Sequence, residues 1–285
     1  RPRTGITRKR IRLAQAFVIG AALFALAPAA RALDTQDIVV EWTEEGKKIA
    51  QERAAKWKTK EEMVLIPAGE FLMGSDKKTD RLAYRSEIPQ RSVYLDAFMI
   101  GKYEVTALEY LKFVLATDRL PQLDWRYDGG NFQDTMAHHP IMHVNCYDSY
   151  AYCKWAGRRL PTDTEWEKAA RGADGRIYPW GNAAPTLAHA NHDNASPEAY
   201  AGGLMKVGAH GAGRSPFGVD DLAGNAAEWV ADWYTDSFPH SERRNPKGPE
   251  TGTARVVRGS GRFDPADRLV ITKRYHGNPD LRSED

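Results

Sequence analysis

The sequence predicts short helices and short strands joined by long irregular stretches. Three observations lead there. Thr106 with Glu109, and Thr162 with Glu165, form two Thr-x-x-Glu capping boxes, each able to satisfy free backbone N–H groups where a helix begins. Residues 63–74 and 91–100 carry the apolar runs and alternation of strands. Eight Trp and twelve Tyr in a chain of 285 residues suit a loop-rich body pinned by large aromatic side chains.

Taken in order, residues 1–12 are basic, and residues 13–30 contain no charge. Ala30, Arg31 and Ala32 then offer small residues at a signal-peptidase spacing. Two readings stand side by side: a secretory signal peptide, or an uncleaved transmembrane helix with its basic end in the cytoplasm. The chain begins at Arg1, not Met, yet keeps this stretch, which favours the anchor. Either reading puts the rest on the far, periplasmic side of a bacterial cytoplasmic membrane. Residues 34–60 lack Pro and hold one Gly, Gly46, and are expected to form a helical linker. The remaining 61–285 form the main domain.

Within that domain, residues 63–74 read as a β-hairpin turning at Pro67, Ala68 and Gly69. A helix is expected from Thr106 to about Ala116, another over 145–155 with Asn145 as its cap, and a third after Thr162 that stops at Gly172. The two cysteines, Cys146 and Cys153, fall seven apart in one helix. That is about 10 Å along its axis, too far for a disulfide. His138, His139 and His143 invite a metal reading, but only His139 and His143 stand at i, i+4 and no nearby Cys completes a set.

Charge narrows the partners. Of 40 basic residues, seven lie in residues 1–33, which hold no acid; 33 basic residues then face 38 acidic ones, leaving the body at −5. A mildly acidic body argues against nucleic acid as partner.

The stretch richest in chemistry is GVDDLAGNAAEWVADWY at residues 218–234. Asp221, Asn225 and Glu228 are hard oxygen donors, and the glycines let backbone carbonyls approach, which is how a calcium loop is made. A solvated turn is the other reading of the same residues. Five further motifs accompany it: MVLIPAGEFLMGS at 63–75, GKYEVTALEYLKF at 101–113, GRRLPTDTEWEKAARG at 157–172, YPWGN with ANHDN at 178–182 and 190–194, and RVVRGSGRF at 255–263. In this order they resemble the formylglycine-generating-enzyme family, also called sulfatase-modifying-factor domains.

The resemblance implies a C-type-lectin-like α+β fold, poor in regular secondary structure, with calcium. One implied site uses the Asp221 side chain, the Gly224 and Ala226 carbonyls and the Glu228 carboxylate. The other uses Asn191 and His192, followed by Glu198, where the family has Asp, and Tyr200. It also implies a plain strand at the Pro140 to Val144 run. Active members oxidise a substrate cysteine with a pair of their own thiolates, which hold copper; thiolate is the right donor for Cu(I). Here the corresponding positions are Asp264 and Leu269, and no cysteine follows Cys153. The expectation is therefore a calcium-binding, copper-free, non-catalytic domain serving as a binding or structural subunit of an extracytoplasmic protein complex. An enzyme with a different site in the same fold is the alternative. So is a carbohydrate-binding module, which an exposed cluster at Trp125, Tyr127 and Phe132 would favour.

Overall fold

The computed structural model describes residues 44–78, 80–119, 134–193, 203–237 and 242–282. The hydrophobic stretch 13–30 lies outside them, as do Trp125, Tyr127, Phe132, Glu198 and Tyr200. Among the described residues no helix is long and apolar enough to cross a membrane.

The chain divides into two compact units. The first comprises the described residues up to Lys58 together with Leu108–Ala137. Its helix α1, Glu44–Lys56, lies within the expected linker and opens with Glu44 and Glu45 and closes with Arg53 and Lys56, the charge order that suits a helix dipole. Helix α2, Ala107–Ala116, begins at the unit boundary and ends where the sequence placed it. An ion pair of 2.5 Å joins Lys47 on α1 to Asp118 just beyond α2.

The second unit comprises Thr59–Ala107 and His138–Asp285. Strands β1 (Met63–Ile66) and β2 (Gly69–Met73) do not pair with each other. β1 pairs with β4 (Phe98–Gly101), and β2 with β3 (Arg91–Leu95), both antiparallel. The expected hairpin at 63–74 is therefore corrected to one broken ribbon. Ile66 lies opposite Phe98 and Gly69 opposite Leu95, so the same register runs on both sides of the break. Pro67 has no N–H to give the ladder, which interrupts it without reversing the chain.

Helices α3 (Cys146–Trp155) and α4 (Asp163–Arg171) carry the caps read from sequence. Asn145 Oδ1 accepts from Asp148 N–H at 2.8 Å, and the Asp148 carboxylate reaches back to Asn145 N–H. Thr162 and Glu165 form the same reciprocal pair, and Gly172 ends α4 at φ +70°. Cys146 and Cys153 both lie on α3 and are free thiols; burial pushes Cys153 up to about 11, an unreactive thiol. The strand expected at Pro140 to Val144 is not formed: Pro140 makes one isolated bridge to Thr106, and His143 turns left-handed at φ +54°.

Strands β5 (Glu228–Trp233), β6 (Arg255–Arg258) and β7 (Tyr275–Gly277) make an antiparallel sheet in that order. Trp166 of α4 is fully buried in a core shared with Ile66, Ile100, Val230, Val256 and Ile271. Beneath it lies a buried charge network. Arg258 is wholly inaccessible; its Nε donates to Asp163 Oδ1 at 2.6 Å, its Nη2 to Glu167 Oε2 at 2.5 Å, and its Nη1 to the Ile271 and Lys273 carbonyls. Arg274 Nε meets the second oxygen of Asp163 at 2.8 Å.

Candidate cation-binding loop

Residues 218–228 run from the end of an irregular segment into β5, and two of them need unusual backbone. Asp221 and Asn225 adopt φ of +59° and +67°, a region that Asp and Asn tolerate better than other side-chain-bearing residues. The turn they make is stitched to three neighbours. Gly224 N–H donates to the Gly259 carbonyl at 2.9 Å, Asn225 N–H to the Asn191 carbonyl at 2.9 Å, and Arg262 N–H to the Asn225 carbonyl at 3.0 Å.

Of the four groups expected to hold an ion, Ala226 and Glu228 visibly converge. A Cβ added at Gly259 would lie 3.8 Å from the Ala226 carbonyl oxygen and 3.9 Å from Glu228 Oε1. Glycine keeps that space open. The Asp221 carboxylate is buried and takes one hydrogen bond, from Gly208 N–H at 2.6 Å. Its neighbour Asp220 is spent on Arg214, at 2.9 Å. Asn225, an oxygen donor by sequence, has its Oδ1 occupied by Met205 N–H and Asn191 Nδ2, both at 3.0 Å, so it braces the loop.

Sequence reasoning missed Glu104. This buried carboxylate, distant in sequence, accepts from Asn225 Nδ2 at 2.7 Å and from Ala226 N–H at 2.8 Å. Its one signal in the sequence is an acid inside the apolar run YEVTALEY. Burial, and then the charges of Asp221 and Glu228, raise its pKa well above the ordinary carboxylate value. Burial also pushes Asp221 and Glu228 up to about 7. Asp221 raises both Glu104 and Glu228, and Glu228 raises Glu104 as well, an environment that a divalent cation relieves. Among the described residues no three His, Cys, Asp or Glu side chains are placed to hold a metal by themselves. An ion here would therefore lean on the Gly224 and Ala226 carbonyls as much as on Asp221 and Glu228. The residues fit a hard, oxygen-seeking cation.

The other expected set is half described. Asn191 is 1% exposed, and its Oδ1 has no hydrogen-bond partner among the described residues. His192 is buried, with Nδ1 2.9 Å from Asp193 Oδ2. Glu198 and Tyr200 lie outside the described residues, so this set is not assembled here. Among the described residues, His138, His139 and His143 are not grouped to hold a metal either.

The two positions expected for reactive thiols hold other chemistry. Asp264 Oδ2 accepts from Gly261 N–H at 2.8 Å and its Oδ1 from Arg268 Nη1 at 2.8 Å. Leu269 is 1% exposed and packs with Ala190, Ala223, Tyr178 and Trp180. Ser260, between Gly259 and Gly261, sits left-handed at φ +64°. Ser260→Gly is therefore expected to stabilise the fold by roughly 0.5–1 kcal/mol, read as a higher urea midpoint at unchanged slope; an unchanged or lower midpoint contradicts it.

The family described as Sulfatase-modifying factor enzyme 1-like domain matches residues 48–285. The chain belongs to that family. Formylglycine-generating enzyme from Bos taurus is 32% identical over 247 residues, covering 69% of this chain and 64% of that protein, so this chain spans less than two-thirds of that relative's length. A protein named Inactive C-alpha-formylglycine-generating enzyme 2, from Mus musculus, is 29% identical over 275 residues, covering 78% of this chain and 83% of its own. The structure of PvdO from Pseudomonas aeruginosa superposes with a TM-score of 0.63 at 24% identity, covering 77% of this chain and 89% of that one. That last likeness establishes the shared fold of mixed helices and strands.

Proposed function

We propose that this family member is a non-catalytic, calcium-binding domain that serves as a binding or structural subunit of a complex outside the cytoplasm. The observation that carries the reading is the pair Asp264 and Leu269. A carboxylate tied to Arg268 and a leucine sealed in an apolar cluster cannot supply the thiolates that Cu(I) requires. Overall identity does not discriminate, since a relative named for the activity is as similar as one named inactive.

When bound, calcium would supply a positive charge among Asp221, Glu228 and the Gly224 and Ala226 carbonyls. The chain's own part is to hold those oxygens in place through Glu104, Asn225 and the open space over Gly259. A protein partner is supported by the outer side of α3, where Tyr147, Tyr150 and Trp155 are exposed. Aromatic side chains of this kind are enriched at protein interfaces. Residues 13–30 would anchor the domain to the membrane or be removed on export.

The test is direct. The purified chain, with and without Cu(I), is expected to convert no cysteine in a sulfatase-derived peptide, as read by mass spectrometry. Formylglycine above a no-protein control overturns the reading.

A further inference from the structure

Asn225 joins three parts of the chain, and no hydrogen-bonding group on it is left over. Its main chain bridges Asn191 and Arg262. Its Oδ1 accepts two N–H groups, from Asn191 and Met205, and its Nδ2 donates twice, to Glu104 at 2.7 Å and to the Met205 carbonyl at 3.2 Å. Glu104 spends its other oxygen on Ala226 N–H. One buried carboxylate therefore fixes both the hub residue and the residue whose carbonyl borders, with Glu228, the open space over Gly259. A further bond, Asp193 N–H to the Asp264 carbonyl at 3.0 Å, closes a ring: Asn191 to Asn225, Asn225 to Arg262, along the chain to Asp264, and back through Asp193.

Two of those segments pack with no slack. An added Cβ at Gly224 would stand 2.3 Å from the Asn191 carbonyl oxygen. A shift of residues 224–226 by a few tenths of an ångström is therefore passed to Asn191, and packed interiors transmit such shifts instead of absorbing them.

We propose that Asn225, clamped by Glu104, is a positioning residue that couples the cation-binding loop to residues 190–193 and 261–264, so that an ion held at 221–228 also orders those two segments. The proposal rests on the calcium reading above. Residues 261–264 carry the exposed Phe263 and the Asp264 carboxylate, one face of the domain. Ion occupancy thus sets the rigidity of that face. By reciprocity, a partner that rigidifies the face tightens the ion.

Hydrogen exchange on the full chain, with calcium and with chelator, tests this. Calcium is expected to slow exchange at 190–193 and 261–264 as well as at 221–228. Asn225→Gly keeps the left-handed backbone accessible and deletes the side-chain links. It is expected to weaken calcium about tenfold and to confine the slowing to 221–228. Glu104→Gln, which keeps shape but loses one of the two acceptors, is the second variant should Asn225→Gly fail to fold; it too is expected to lose the distant slowing. The proposal is overturned if the parent chain shows slowing in the loop alone, or if the folded variants keep the distant slowing. No calcium response anywhere in the parent chain overturns the calcium reading itself, and the coupling falls with it.

Discussion

Asp163→Ala is expected to cost about 3–5 kcal/mol, the usual penalty for leaving a buried charge without its partner. Arg258 and Arg274 each lose the ion pair to Asp163 at once, Arg258 keeping Glu167, and both side chains are buried. Burial alone would raise the Asp163 carboxyl, but the attraction of Arg258 and Arg274 outweighs it and holds the group below its ordinary value. The sign of the pH dependence follows. A depressed folded-state value contributes stability that is present above the unfolded value, near 3.9, and is lost as pH falls through the folded one. The gap in unfolding free energy between the parent chain and Asp163→Ala should be constant above about pH 5. Below about pH 4 it should narrow as the parent protonates. Denaturant melts of both chains across that range check it. A variant within 1 kcal/mol of the parent at pH 7 would mean the network is solvated.

Calcium is expected to raise the melting temperature by several degrees. An ion that binds only the folded state adds about 2.7 kcal/mol at a hundredfold excess over Kd. In a chain of this size each kcal/mol moves Tm by about 2–4 °C. Glu228→Gln should abolish most of that gain. In chelator the same variant should be no less stable than the parent, because the carboxylate it removes is pushed up to about 7 by desolvation. The two halves of that result separate a cation ligand from a merely structural acid, which would weaken the fold in chelator too. An unchanged Tm on chelation removes calcium from the loop.

What the sequence disclosed followed how local each signal was. The caps at Asn145 and Thr162 and the stop at Gly172 are written within four residues of where they act, and each forms as read. The residues 63–74 misled because their pairing is not local: Pro67, Ala68 and Gly69 look like a turn, yet β1 and β2 find their partners some thirty residues away. The motif at 218–228 named Asp221 and Glu228 from one short stretch, and the loop keeps the two near enough for Asp221 to raise Glu228. Glu104 could not be read that way. It reaches Asn225 across 121 positions, and only the folded chain makes it the brace of that loop. The expectation of no copper rests on residue identity alone, because the absence of cysteine after Cys153 needs no geometry.

The charge network beneath Trp166 also bears on how the protein is made. Asp163 waits 95 residues for Arg258 and 111 for Arg274, and Glu87 waits 186 for Lys273. A chain that emerges from its N-terminal end must therefore carry unpaired acids, and the half-built core above them, until the last stretch arrives. Contacts this distant close late and slowly. During that interval the nascent chain exposes apolar surface, the condition under which chains aggregate or recruit chaperones. Synthesis halted anywhere before Arg258 leaves Asp163 without either arginine and Glu167 with Arg171 alone, so this network closes only when residues 258–274 arrive.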